Sequence, residues 1–139
     1  MKRIALIAAI GLSAGSAAAA EFWPTDAKLY LIEPANGATI KGKVTVKFGL
    51  KGLGVAPAGT AAPKTGHHHI LIDTAAPTGA DLEGPIPADG THRHFGGGQT
   101  ETVLDLPPGK HTLQLIMGDQ NHVPHDPPLV SETVSITVE

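Results

Sequence analysis

A chain of 139 residues with 41% hydrophobic residues and no cysteine has room for one domain, which neither disulfides nor thiolate-bound metals can stabilise. Its formal charge is −3, and when Lys2 and Arg3 are set aside 8 basic residues face 13 acidic ones, a charge of −5. That balance argues against a nucleic-acid partner, since such binding relies on Lys and Arg to neutralise phosphates, and it favours attraction of cations.

The N-terminus has the pattern of a secretory signal peptide. Two basic residues precede an apolar run from Ile4 to Leu12, and small residues follow up to Ala20. We therefore expect residues 1–20 to be a signal peptide and 21–139 to be the exported domain, with a bacterial periplasm as its location. The apolar run is shorter than the about 20 residues that span a bilayer, so we expect no transmembrane segment in the mature protein.

Beyond residue 20, short runs of alternating or β-branched residues lie between Gly- and Pro-rich turns. Val44, Val46 and Phe48 alternate with Thr and Lys, as the side chains of a half-buried strand do. No stretch has a capped helical period of useful length. The pattern predicts an all-β chain: a single immunoglobulin-like antiparallel β-sandwich with long Gly/Pro-rich loops at 51–66 and 74–98. The predicted strands are 28–33, 42–50, 68–73, 99–106, 110–117 and 130–138.

Seven of the eight histidines fall into three short clusters, and these are the strongest functional signal in the chain. Imidazole is the commonest protein ligand for zinc and copper, because its neutral nitrogen is available near pH 7. Since the clusters are far apart in sequence, they form one site only if the fold joins them, and we expect them to lie together at one end of the sandwich. The seven candidate metal ligands are His67, His68, His69, His92, His94, His122 and His125.

Strand geometry predicts which histidines of the first two clusters lie on the same face. Side chains alternate in a strand, so His67 and His69 share one face while His68 lies on the other, and at least one of the three points toward the interior or its rim. His92 and His94 have the H-x-H spacing that allows two imidazoles on one side of an extended segment to chelate one ion. The structural alternatives are a solvated histidine run at a loop edge and a His92 that only hydrogen-bonds within its loop.

The third cluster lies in a loop that prolines stiffen, which lowers the entropy lost when its side chains are fixed. Asp119 and Asp126 are candidates to accept a hydrogen bond from the second nitrogen of a ligating histidine. The alternative is a polar turn in which His125 and Asp126 pair only structurally. His111 stands apart from the clusters and is assigned to structure. Met117, the only methionine after residue 20, leaves one axial thioether as an option for copper.

Four motifs follow one another along the mature chain. They are Gly66-His67-His68-His69-Ile70-Leu71-Ile72-Asp73, then His92-x-His94 followed by Phe95-Gly96-Gly97-Gly98, then Pro107-Pro108-Gly109-Lys110-His111, and finally His122-x-Pro124-His125-Asp126-Pro127-Pro128. This series resembles the exported bacterial DUF4399 family, over nearly all of the chain from about Leu29 to its end. The resemblance implies one compact exported domain. It assigns no activity, because the family's name records an unknown function.

The residues leave three functions open. The first is a periplasmic protein that binds or carries copper or zinc, since a nitrogen-rich site without thiolate binds Cu(II) most tightly, with zinc behind it. The second is an enzyme whose metal keeps an open coordination position, with Glu101, Asp119 or Asp126 as the general base. The third is a metal-free ligand-binding or adhesion sandwich whose histidines form a polar network. We take the first as the working hypothesis.

Overall fold

Nine strands and one short 3-10 turn at Gly79–Glu83 make up the regular structure of residues 21–139, which are the residues that the computed structural model describes. The predicted signal peptide at 1–20 lies outside the described residues. Within them, no helix is long and apolar enough to cross a membrane. The strands are β1 (Lys28–Glu33), β2 (Thr39–Ile40), β3 (Val44–Lys51), β4 (Gly54–Val55), β5 (Thr65–Ile72), β6 (His92–His94), β7 (Glu101–Leu104), β8 (Gly109–Gly118) and β9 (Val134–Val138).

The strands form the two sheets of a β-sandwich, which confirms the predicted fold class. One sheet has the order β1-β3-β7, and the other has the order β2-β9-β8-β5-β4, with β6 also paired to β5. The longer pairings are antiparallel, whereas β2 with β9 and β4 with β5 run parallel over two residues each. All six predicted strands are present, with bounds that differ by up to four residues. The sequence did not predict β2, β4 and β6, because two or three residues are too few to show an alternation.

The main core lies between the two sheets. Val44, Val46 and Phe48 of β3 are buried there, as their alternation predicts, and they face the fully buried Leu113 and Leu115 of β8. Full burial of an aliphatic or aromatic side chain stabilises a fold by about 1.5–3 kcal/mol. The sandwich therefore rests on this apolar layer, as expected for a chain without cysteine.

Strand β5 is buried on both of its faces, which sets it apart from the other strands. On the inward face Ile70 and Ile72 belong to the main core. On the outward face Leu71 packs with Ile86 and Ile116 in a second apolar cluster. The segments that follow β5 and β8 cover this outward face. They are joined by a backbone hydrogen bond from the Ile86 N–H to the His122 carbonyl, at 2.8 Å.

Candidate metal centre

The outward face of β5 carries two buried histidines side by side. Alternation in the strand places His67 and His69 on this face, and each is only 1% exposed. Their Nε2 atoms lie 2.9 Å apart, so one ring donates an N–H hydrogen bond to the other when both are neutral. Two ring nitrogens at this separation already point at a common region of space.

Strand β6 adds a third histidine to this pair. It runs antiparallel to β5 with His94 directly opposite His69, and residues paired in this way share one face of a sheet. The ring centroid of His94 lies 5.0 Å from that of His67 and 5.0 Å from that of His69. Each of the three residues offers one ligand atom within 4.8 Å of the others. In a tetrahedral zinc site with Zn–N bonds of 2.0–2.1 Å, ligand nitrogens are about 3.3 Å apart, so small side-chain movements complete the geometry.

A fourth histidine reaches the same place from a loop. The ring centroid of His122 lies 4.6 Å from that of His94 and 4.9 Å from that of His67. It is 5.9 Å from that of His69. Its backbone has a positive φ of 69°, a conformation that few non-glycine residues adopt. We call His67, His69, His94 and His122 the histidine group. One member comes from each of the second and third clusters, and two come from the first.

Two glycines, which have no side chain, make room for the rings of the histidine group. Gly118 lies opposite His67 across the β5–β8 ladder, and a Cβ on it would lie 2.9 Å from His69 Nε2 and 3.3 Å from the His122 Cα. A Cβ on Gly96 would collide with the His94 ring, 2.6 Å from its Nε2. A side chain at either position would therefore displace a histidine of the group.

The surroundings favour the neutral form of three of these imidazoles, those of His67, His69 and His94. Burial is the largest cause that lowers the pKa of His67 from 6.5 to about 4, and repulsion from His122 and His94 adds to it. Burial is also the largest cause that lowers the pKa of His69 to about 2, and repulsion from His67 and His94 adds to it. Burial and His122 also lower the pKa of His94. The neutral form, which is the form that binds metal ions, is therefore present at pH 7.

The centre is closed on one side and open on the other. His67 and His69 are buried, His122 is half-buried and His94 is exposed. The Nδ1 of His69 is buried without a hydrogen-bond partner among the described residues. Such an unpaired buried group costs about 1–3 kcal/mol, so hydrogen bonding alone does not satisfy this cluster.

His68, although it is in the middle of the first cluster, lies away from the group. It points into the main core, where it is 0% exposed and its ring centroid is 5.0 Å from that of Phe48. Burial lowers its pKa to about 4, and the nearby backbone of Gln99 offsets this only in part. Neither of its ring nitrogens makes a hydrogen bond of normal geometry within the described chain.

The other two candidate histidines are each held by an aspartate. His92 Nδ1 lies 2.8 Å from Asp89 Oδ1, and His125 Nε2 lies 2.8 Å from Asp119 Oδ2. His111 is bound in the same way, with its Nδ1 2.7 Å from Asp73 Oδ2. The structure thus places His92 and His125 outside the histidine group.

The predicted supporting residues also lie elsewhere than expected. Asp119 bonds to His125 and to loop amides, and Asp126 is exposed. Met117 points into the main core, on the face of the sheet opposite to the histidine group, so the axial thioether option is wrong. The group lies where β5 begins and β8 ends, and on the outward face of the sheet. The prediction placed it at the end of the sandwich without identifying this face.

Comparison with known proteins identifies a family and no activity. Residues 46–139 match the family described as Domain of unknown function (DUF4399). No curated protein sequence matches the chain. The endo-β-1,4-mannanase from Thermotoga petrophila is similar to it in structure, with 18% identity and a TM-score of 0.44 over 82% of this chain and 20% of that chain. The fibronectin(III)-like modules of CbhA from Clostridium thermocellum are also similar in structure, with 12% identity and a TM-score of 0.44 over 81% of this chain and 45% of that chain. The chain spans less than half of either protein, and neither likeness bears on function.

Proposed function

The chain belongs to the DUF4399 family, and we propose that it binds one copper or zinc ion through its histidine group. His67, His69 and His94 supply the first three nitrogens, and His122 supplies the fourth. The observation that carries the proposal is the convergence of three ligand atoms within 4.8 Å of one another. All four donors are imidazoles, a set that favours Cu(II) over Zn(II) at equal availability.

Three further observations support a metal rather than a hydrogen-bonded network. The lowered pKa values of His67 and His69 keep both rings unprotonated at neutral pH. The absence of a side chain at Gly118 leaves room beside the rings. His94 is exposed, so an ion can reach the group from solvent.

A metal-dependent enzyme is the second candidate, because one side of the centre is open at the exposed His94. Catalytic zinc sites keep three protein ligands and one exchangeable position. Of the proposed general bases, Asp119 has both oxygens engaged, Oδ1 by the amides of Asn121 and Val123 and Oδ2 by His125. Asp119 is therefore not free to act as a general base, which favours a carrier.

We place this metal centre in an exported protein. The proposal rests on the signal pattern of residues 1–20, which predicts cleavage before Glu21 and delivery to the periplasm. N-terminal sequencing of the protein from an exporting host should give Glu21-Phe22-Trp23. Soluble cytoplasmic protein that retains Met1 would contradict it.

Metal analysis of untagged protein is the decisive experiment. Purified wild type should retain about one equivalent of copper or zinc, or take it up on titration, and its melting temperature should rise with free metal. The double variant His67→Ala/His69→Ala should show neither effect. His111→Ala is the matched control, since it removes an imidazole that already pairs with Asp73. Equal metal responses in all three proteins would contradict the proposal, because they would reflect only weak surface binding.

A second test changes the space around the rings without removing a ligand. Gly118→Ala places a methyl group against His69 and His122, so metal affinity should fall on the order of 10- to 100-fold, as it does when groups that orient ligands are changed. Gly90→Ala is the control, because a Cβ there meets nothing within 4 Å. Unchanged affinity in Gly118→Ala would show that the ion binds elsewhere.

A further inference from the structure

Two aromatic residues near the start of the described chain lie against the loop that carries His122. We call residues 119–125 the His122 loop. The indole of Trp23, which is 6% exposed, donates from Nε1 to the Pro124 carbonyl at 2.7 Å. The ring of Phe22 stacks flat on that of His125, with 3.6 Å between centroids and 12° between planes. Both residues therefore contact the half of the loop that follows His122.

Asp119 holds the other half of the loop. Its Oδ1 accepts hydrogen bonds from the Asn121 and Val123 amides at 2.7 and 2.9 Å, and its Oδ2 lies 2.8 Å from His125 Nε2. Its carbonyl accepts the amide of His122 at 2.9 Å. The positive φ at His122 and at His125 persists because these contacts fix the backbone on both sides.

A continuous series of contacts thus joins Phe22 to the metal centre. Phe22 covers one face of His125, His125 is bound to Asp119, and Asp119 fixes the backbone of His122. Phe22 is 51% exposed, and its ring contacts both the stacked His125 ring and the edge of Trp23, 4.8 Å between centroids. These contacts form a physical connection between the centre and a residue far from it in sequence.

We propose that Phe22 and Trp23 form an N-terminal clasp that positions His122 as the fourth ligand and so sets the affinity and coordination geometry of the centre. This inference rests on the proposed metal-binding function. His67, His69 and His94 are fixed by the register of β5 and β6, whereas His122 lies outside the strands. Sites on loops need such support to hold their geometry. Phe22 and Trp23 are positioning residues and do not touch the ion.

The first experiment measures Zn(II) affinity by competition with a chromogenic chelator, and the visible spectrum with Co(II) as a probe of coordination. Phe22→Ala should weaken Zn(II) binding about 10-fold and should shift the Co(II) spectrum toward that of His122→Ala. Phe22→Tyr, which keeps the stacked ring, should restore both. Ile32→Ala is the control, since it removes an apolar side chain that is 56% exposed on the other sheet.

A double-mutant cycle shows whether the clasp acts through His122. Phe22→Ala should have no further effect on Zn(II) affinity or on the Co(II) spectrum when His122 is already Ala. Trp23→Phe, which keeps a ring and removes the hydrogen bond to Pro124, should lower the affinity less than Phe22→Ala and by the same route. An equal loss of affinity with and without His122, or no loss in Phe22→Ala, would overturn the clasp.

Hydrogen exchange in metal-free protein separates failure of the clasp from failure of the proposed function. Amides of the His122 loop should exchange faster in Phe22→Ala than in Ile32→Ala, and equal exchange would overturn the clasp. A wild type that binds neither Zn(II) nor Co(II) would instead overturn the metal centre, together with the part of the inference that concerns affinity. Normal metal binding with unchanged loop exchange would overturn the clasp alone.

Discussion

Seven of the eight histidines divide into two kinds of environment, and His68 lies apart from both in the main core. Those of the histidine group have other imidazoles as their closest polar neighbours, and burial keeps His67 and His69 neutral. His92, His111 and His125 each have an aspartate at 2.7–2.8 Å, which occupies one ring nitrogen. The hydrogen bond with Asp73, and then the Pro107 carbonyl, raise the pKa of His111. One residue type thus serves as a candidate ligand or as a structural anchor, and its neighbours decide which.

The largest effect on metal binding should separate two histidines on the same short strand. His94→Ala removes a ligand, whereas His92→Ala removes a ring held by Asp89. At a metal concentration of 100 times Kd, wild type should gain about 2.7 kcal/mol in free energy of unfolding. His94→Ala should lose most of this gain and His92→Ala little of it, as followed by thermal unfolding with Zn(II) or Cu(II). Equal loss in both variants would contradict the assignment of His94 as a ligand and of His92 as a structural residue.

Acid should destabilise the metal-free protein through the group. The folded-state pKa values of His67 and His69 lie below the unfolded value of 6.5, so the unfolded chain binds more protons as pH falls. Their contribution is complete above pH 6.5 and decreases at roughly 1.4 kcal/mol per pH unit for each histidine as pH falls toward about 4. Urea unfolding between pH 7.5 and 4.5 measures the slope.

The variant His67→Gln/His69→Gln should have a shallower slope than wild type. Ile32→Ala, which changes an exposed side chain of β1 and removes no titratable group, is the control and should keep the wild-type slope. A free energy of unfolding that does not change over this pH range would mean that the rings stay solvated.

His68 provides a sharper contrast, because its environment differs from those of the adjacent residues His67 and His69. Both of its ring nitrogens are buried without partners in the described structure. An unsatisfied buried polar group costs about 1–3 kcal/mol, so His68→Leu should raise the free energy of unfolding by about that amount at pH 7. Metal affinity should not change, since the side chain lies on the opposite face of β5. A stability loss accompanied by weaker metal binding would place His68 with the group.

The smallest effect should come from the anchored histidines. His111 has a raised pKa, so its stabilising pairing with Asp73 is complete below pH 6.5 and is lost as pH rises through the raised value. Because the Asp73 side chain is 44% exposed, we expect less than about 1 kcal/mol. His111→Ala should therefore lower stability more at pH 5.5 than at pH 8.5, the opposite sign to the group. A uniform loss at both values would point to packing alone.

Much of the fold could be predicted from the sequence because its signals are local. The alternation of Val44, Val46 and Phe48 predicted a strand with one buried face, and these side chains do lie in the main core. The same rule placed His68 on the face opposite to His67 and His69, although it did not identify which face is inward. The inward face of β5 cannot be identified from its sequence, because both faces of the strand are buried and apolar residues lie on each.

The composition of the candidate site was also determined by the sequence. Histidine clusters without cysteine restrict any metal site to nitrogen and oxygen donors, apart from the one thioether of Met117. The selection among the seven candidates required the tertiary structure, because it depends on residues distant in sequence. The register of β6 on β5 sets His94 against His69, and the missing side chain at Gly118 leaves space for the rings. Asp89 and Asp119 engage His92 and His125, and His68 points into the main core. Side-chain type and alternation are properties of the local chain, whereas burial, pairing and convergence arise only when distant segments pack together.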